Sequence, residues 1–202
     1  MSIMTNAIFY FDFGSPNAYL SHQVIPQIEA RTGVKFAYVP VLLGGLFKLT
    51  GNRSPMEAFG GIKNKLAYEN LETQRFIKRH GLTAFRMNPN FPVNTLRLMR
   101  GAVAAQGLGV FEAYVEMGMT AMWEQGLKMD DPEVMAKTIT DAGLDAAALS
   151  AAIEDPAVKQ GLLDNTNAAC EAGAFGIPSF MVDGELYFGK DRLRDVEEAI
   201  GG

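Results

Sequence analysis

The residues of this chain best placed to do chemistry are a serine near its start and an Ile-Pro pair far downstream. Ser15 follows the apolar run Ile8 to Phe13 and the turn residue Gly14. It precedes Pro16 and a stretch in which Leu20, Val24 and Ile28 recur at helical spacing. Ser15 is therefore expected to cap a helix, and Pro16 suits the first helical position, where an N–H would be unpaired anyway. A helix start presents free N–H groups and a partial positive charge, which favours an anion by about 0.3–1 kcal/mol. A thiolate is such an anion, and thiols at helix starts titrate well below ~8.5. The Ser15 hydroxyl could donate one further bond to that sulfur, worth about 1.5–3 kcal/mol when charge-assisted. The plainer reading is that Ser15 only caps the helix. The two roles are compatible, because a hydroxyl accepts and donates at once. A hydroxyl cannot exchange disulfides, and with Cys170 the single cysteine no internal pair exists. Sulfur chemistry at Ser15 thus needs a thiol from outside the chain.

Four further groups bear on such a ligand. In a thioredoxin-like sheet the Ile177-Pro178 peptide would be cis, turning the Ile177 backbone towards the cleft to hold an extended peptide like an added strand. The plainer alternative is a strand-entry proline. Asp191, within Gly189-Lys190-Asp191-Arg192 before the last helix, could accept an α-ammonium while nearby groups meet a carboxylate; helix capping beside a solvated charge cluster is the simpler account. Asn52, in the turn Gly51-Asn52-Arg53-Ser54-Pro55, could grip a ligand amide, and Lys63 and Lys65 could meet a carboxylate, although such lysines are commonly solvated. Tyr19 and Trp123 could line a pocket for an aromatic acceptor, with core packing the commoner fate. His22 reads as a packed, hydrogen-bonded histidine, and Asn88 to Pro92 as a turn-rich loop able to wall a pocket.

The elements that must position these groups fall into three parts. The first reads strand, helix, strand: Pro26 should kink or loosen the helix, Thr32-Gly33 should end it, and Val34 to Leu43 reads as a strand whose Pro40 argues for an edge. The last part has Ser179-Phe180-Met181-Val182 and Glu185-Leu186-Tyr187-Phe188 flanking Asp183-Gly184, a strong hairpin signal, then a helix with Leu193, Val196 and Ile200 on one face. Between roughly Pro55 and Gly173 the pattern is helical throughout, with Asp131-Pro132 and Asp155-Pro156 as matching cap-plus-proline starts and Ile62/Leu66 at helical spacing. The expected architecture is an α/β thioredoxin-like fold with a large all-helical insertion. Residues 1–54 and 174–202 would form the discontinuous thioredoxin-like domain and residues 55–173 the insertion, which would leave a cleft at the sheet's edge.

Composition narrows the function classes. The chain has 202 residues, 48% of them apolar and 20% charged, enough for a core without metals or disulfides. Its net charge is -5 with no basic run, which disfavours nucleic acid and anionic membranes as partners. No stretch approaches the ~20 apolar residues of a membrane helix. The start lacks a basic region followed by an apolar core. One cysteine and two histidines argue against a metal centre, and a reducing cytoplasm is the simplest location.

Taken together, Phe-Tyr-Phe-Asp-Phe-x-Ser-Pro-x-x-Tyr at Phe9 to Tyr19, Gly51 to Pro55, Lys63-x-Lys65-Leu66-x-Tyr68, the Trp123 region, Gly176-Ile177-Pro178 and Gly189-x-Asp191-Arg192-Leu193 resemble the 2-hydroxychromene-2-carboxylate isomerase family. That family is close to kappa-class glutathione transferases and DsbA-like oxidases. The resemblance implies glutathione as cofactor, with Ser15 activating its sulfur and Asn52, Ile177, Pro178, Asp191 and Arg192 positioning the tripeptide. The implied reaction is reversible thiolate addition to a conjugated carbon, rotation about the bond so made single, and loss of glutathione to give trans-o-hydroxybenzylidenepyruvate. A homodimer acting on a small aromatic or conjugated carbonyl compound is also implied. Two alternatives stand beside it: a kappa-like transferase that releases a glutathione conjugate, and a thioredoxin-fold binding module without catalysis.

Overall fold

A computed structural model describes residues 6–201. Most of the N-terminal segment read for targeting signals lies outside them.

The strand β1 (Ala7–Phe11) is the sheet's inner seam, its residues almost all buried. It pairs in parallel with β2 (Phe36–Pro40) and antiparallel with β3 (Ser179–Val182), which pairs antiparallel with β4 (Glu185–Phe188). Among the described residues the sheet order is β2-β1-β3-β4, so Pro40 lies in an edge strand, where its missing N–H costs no ladder bond. Asp183 and Gly184 both take positive φ, 48° and 92°, as the tight β3–β4 turn requires.

Helix α1 (Pro16–Thr32) makes the crossover from β1 to β2, with Leu20, Val24 and Ile28 on its buried face. Gly33 ends it at φ 75°. Pro26 does not break it: the helix runs on because Pro26 faces solvent, where water can serve the carbonyl it leaves free. Behind the turn after β1, Phe13 packs so tightly that a Cβ on Gly118 would stand 2.5 Å from its ring.

Seven of the elements between β2 and β3 carry the helical part: α3 (Pro55–Phe59), α4 (Lys65–His80), α5 (Leu96–Gly107), α6 (Phe111–Trp123), α7 (Pro132–Asp141), α8 (Ala146–Ile153) and α9 (Pro156–Glu171), preceded by α2 (Leu43–Thr50). Asp131 and Asp155 cap α7 and α9 as expected, each with proline next. The region is not helical throughout. Residues 82–95 form an irregular connection with a cis Phe91-Pro92 bond. Ile62 lies in a turn, because Asn64 at φ 70° delays the start of α4 to Lys65. After β4 a 3₁₀ turn, Lys190–Arg192, leads into α10 (Leu193–Gly201), whose Leu193, Val196 and Ile200 are buried.

Candidate functional site

The site assembles around one loop, residues 175–178, which connects α9 to β3. Ser15 caps α1, its Oγ accepting from the Ala18 N–H at 3.2 Å, and the same hydroxyl donates to the Ile177 carbonyl at 3.1 Å. Ile177-Pro178 is cis, and both Ser15 and Ile177 are buried. The Gly189 N–H donates to the Pro178 carbonyl at 2.9 Å, bringing the 3₁₀ turn and Asp191 to the loop's other side. Asn52, just past the end of α2, donates its Nδ2 to the Phe175 carbonyl at 2.8 Å. Groups separated by up to 162 positions in sequence thus meet on four consecutive residues. Beside them Phe175 and Phe188 are half-exposed with ring centroids 4.5 Å apart. A Cβ on Gly176 would stand 2.9 Å from the Phe188 ring, so glycine keeps this approach open.

The charged half of the site holds a residue that the sequence reading passed over. Lys190 is buried, only 4% exposed, with its Nζ donating to both carboxylate oxygens of Asp191 at 2.9 Å and standing 5.3 Å from the centre of the Phe76 ring. Asp191 itself is largely exposed, so its carboxylate is pinned at the surface by a cation beneath it. Arg192 points to solvent, within 3.6 Å of Asp195. The signal for Lys190 was weak, since a lysine between glycine and aspartate reads as surface.

Asp12 is the second group missed. It lies 1% exposed beneath the Ser15 turn. Its Oδ1 accepts from the Gly14 N–H at 2.8 Å and from the Thr95 hydroxyl at 2.7 Å; its Oδ2 accepts from the Leu43 N–H at 2.8 Å. The Asp12 carbonyl also receives the Ser15 N–H at 3.1 Å. One carboxylate therefore ties the loop before α1 to the first residue of α2 and to the residue preceding α5. Burial pushes the Asp12 carboxyl above the usual carboxylate range, against the pull of its three donors. The interruption of an apolar strand by a single aspartate was the available signal.

Tyr19 and Trp123 do not line an open pocket; this corrects the sequence expectation. Both are sealed in the core, at 1% and 0% exposure. Trp123 Nε1–H donates to the Phe13 carbonyl at 2.8 Å, and the Tyr19 hydroxyl donates to Glu124 at 2.9 Å, so burial and that bond push the phenol up. Buried aromatic rings need their polar tips paired, and here the pairing braces the Ser15 turn from behind. Phe85 and Phe91 of the irregular connection pack against the Trp123 ring, and buried Asn88 fixes that connection by donating to the Met122 and Leu127 carbonyls. Lys65 is held by Glu69 at 2.5 Å and stands over the Phe59 ring, while Lys63 is exposed in the turn before α4. Neither is drawn into the loop cluster. His22 is packed as expected, between the Tyr38 hydroxyl at 2.9 Å and Glu116 at 3.1 Å, along a separate cleft of about 650 Å³.

The sequence matches the DSBA-like thioredoxin domain over residues 7–201. The chain belongs to this family. Within the DSBA-like proteins it is 30% identical to a 2-hydroxychromene-2-carboxylate isomerase of Pseudomonas sp. (strain C18), over 96% of this chain and 89% of that one. It is 26% identical to human glutathione S-transferase kappa 1, over 95% of this chain and 89% of the relative. A solved 2-hydroxychromene-2-carboxylate isomerase superimposes with a TM-score of 0.82 at 28% identity, covering 96% of this chain and 94% of that structure. The expected thioredoxin-like fold with a helical insertion is thus borne out. In a DSBA-like chain a serine at the first turn of α1 leaves a hydroxyl, not a thiol, facing the cis-proline loop.

Proposed function

We propose that this DSBA-like protein is a glutathione-dependent isomerase of 2-hydroxychromene-2-carboxylate-type compounds, acting in a reducing cytoplasm. The observation that carries the reading is the convergence of Ser15, Asn52 and the Gly189–Asp191 turn on residues 175–178. Similarity to isomerases over nearly the whole chain supports the substrate class.

The donor set suits a zwitterionic tripeptide thiol. The Ile177 backbone and Asn52 would hold its peptide groups, Asp191 its ammonium, and Lys190 and Arg192 supply local positive charge in an acidic chain. When bound, glutathione supplies a nucleophilic thiolate able to add to a conjugated carbon and leave again. Ser15, at the positive end of α1, would release its bond to the Ile177 carbonyl and donate that hydrogen to the sulfur instead. Asp12 fixes the turn that aims the hydroxyl. The exposed Phe175 and Phe188 rings offer an apolar face towards an aromatic acceptor. Segments 1–54 and 174–202 supply the groups that touch the ligand, and the helical segment 55–173 braces them.

The kappa-like transferase remains the second reading, because similarity to human glutathione S-transferase kappa 1 also spans nearly the full chain. One assay separates the two. The protein is mixed with a 2-hydroxychromene-2-carboxylate and a tenth of an equivalent of glutathione, and products are followed by proton NMR. Conversion to the trans-benzylidenepyruvate far beyond the glutathione supplied, to a constant isomer ratio and with free glutathione intact, is expected. Consumption of one glutathione per product would favour the transferase, and absence of any calorimetric heat with glutathione would favour a binding module of another kind.

A further inference from the structure

A cavity of about 790 Å³ lies between α2, α5 and α9, and neither Ser15 nor residues 175–178 line it. Leu42, Leu49, Leu96, Leu162 and Leu163 supply its apolar wall, and Leu49 and Leu163 are each about half-exposed there. Three cations share the lining, Lys48, Arg100 and Lys159, and no carboxylate lines it among the described residues. Three acids stand just outside, one of them Asp155, which caps α9 beside Pro156 of the lining. Glu154 accepts from Lys159 at 2.8 Å and from Arg97 at 3.0 Å, and Asp164 is engaged by Gln160. Counting Lys48, Arg97, Arg100 and Lys159 against Glu154, Asp155 and Asp164 leaves one positive charge in excess, in a chain whose net charge is -5.

We propose that this cavity binds a small amphipathic carboxylate, its apolar body on the leucines and its anionic head between Lys48 and Arg100. The volume suits a small molecule, since ligand pockets span roughly 300–1,000 Å³ and combine apolar walls with a few charged groups. Charge complementarity selects the occupant. A second copy docked here about a two-fold axis would set this cation cluster against itself, because such interfaces are self-complementary. A bound carboxylate instead neutralises it. The site is wired to the Ser15 loop through α2. Of the cavity residues, Leu42 precedes and Leu49 belongs to the helix whose first N–H, at Leu43, donates to Asp12 and whose far end delivers Asn52. The occupant would therefore modulate the loop cluster rather than react.

The test is isothermal calorimetry of the full chain with 4-phenylbutyrate and, separately, with the neutral 4-phenylbutanamide. The carboxylate should bind at least about tenfold more tightly, the effect of one charge-assisted bond. The K48Q/R100Q double variant should abolish that preference while its circular dichroism stays native, and S15A should leave it intact. Equal affinity for acid and amide would overturn the proposal. So would a preference unaffected by K48Q/R100Q, or one lost with S15A, which would put the ligand at Ser15. Sedimentation showing a dimer that L163K dissociates would assign the cavity to a second copy and overturn it as well. None of these outcomes depends on whether the protein isomerises anything.

Discussion

Removing the Ser15 hydroxyl should act on a bound thiol through one exchanged hydrogen bond, and its size can be worked out from the bonds that hydroxyl makes. Ser15 Oγ donates to the Ile177 carbonyl at 3.1 Å and accepts from the Ala18 N–H at 3.2 Å. The acceptor role is unaffected by a ligand. The donor role must switch, because the hydroxyl has a single hydrogen. Leaving a neutral carbonyl forfeits about 0.5–1.5 kcal/mol, and reaching a thiolate gains about 1.5–3 kcal/mol. The difference is about 1–1.5 kcal/mol, so the bound thiol should titrate roughly one pH unit lower because of Ser15. S15A removes that shift but also the cap, which costs about 1 kcal/mol of stability, whereas glycine at a cap costs only a few tenths. S15G therefore separates the roles. Thiolate absorbance near 240 nm, titrated with bound glutathione, should show the sulfur rising by about one unit in both variants. The melting temperature should fall in both, because the buried Ile177 carbonyl loses its donor, and further in S15A, which also loses the cap. Turnover at neutral pH should drop about tenfold in each. An unchanged sulfur titration in S15G would refute the reasoning, whatever happened to turnover.

Three further predictions rest on single groups. Removing Asp191 leaves the buried Lys190 cation unpartnered, so D191A should lose about 1–3 kcal/mol in urea unfolding, while K190M keeps the Phe76 contact and stays within about 1 kcal/mol of wild type. Calorimetry should nevertheless show both weakening glutathione binding, because K190M frees the carboxylate that Lys190 pins. N52D would set a carboxylate oxygen against the Phe175 carbonyl it now bonds, so its glutathione affinity should fall below that of N52A, by roughly tenfold or more. Asp12 sets a pH dependence. Burial raises its carboxyl in the folded state, so the folded chain binds the more protons between the ordinary carboxylate pKa and that raised value. Stability should decline as pH rises through that window and level off above it. The difference in urea midpoint between wild type and D12N should carry that decline as pH rises, beneath the opposite trend set by Glu116 and Glu197, whose carboxyls are held low by His22 and Arg31. D12N should also be less stable by about 1–3 kcal/mol at pH 7, because an amide cannot accept from Gly14, Thr95 and Leu43 together.

What could be read from the sequence was whatever depends on neighbours along the chain. Ser15-Pro16, Asp131-Pro132 and Asp155-Pro156 each cap a helix because a cap involves only the next few residues. Asp183-Gly184 turns the hairpin for the same reason. The positions of Lys190 and Asp12 could not be read that way, since each is set by partners on other elements: Phe76 on α4 for the lysine, Thr95 and Leu43 for the aspartate. Trp123 shows the limit from the other side. Its residue type allowed either a pocket wall or a core position, and only the Phe13 carbonyl 110 positions away decides between them. That same bond ties the helical region to the turn that carries Ser15. Trp123 holds Phe13, Thr95 holds Asp12, and these two residues frame the turn that presents Ser15. The Ser15 hydroxyl is thus aimed jointly by the sheet and by the helices inserted into it. W123F, which leaves the Phe13 carbonyl buried and unpaired, should cost about 1–3 kcal/mol of stability. It should also lower turnover without touching the ligand; if single-turnover rates in W123F matched wild type, the brace would be only structural.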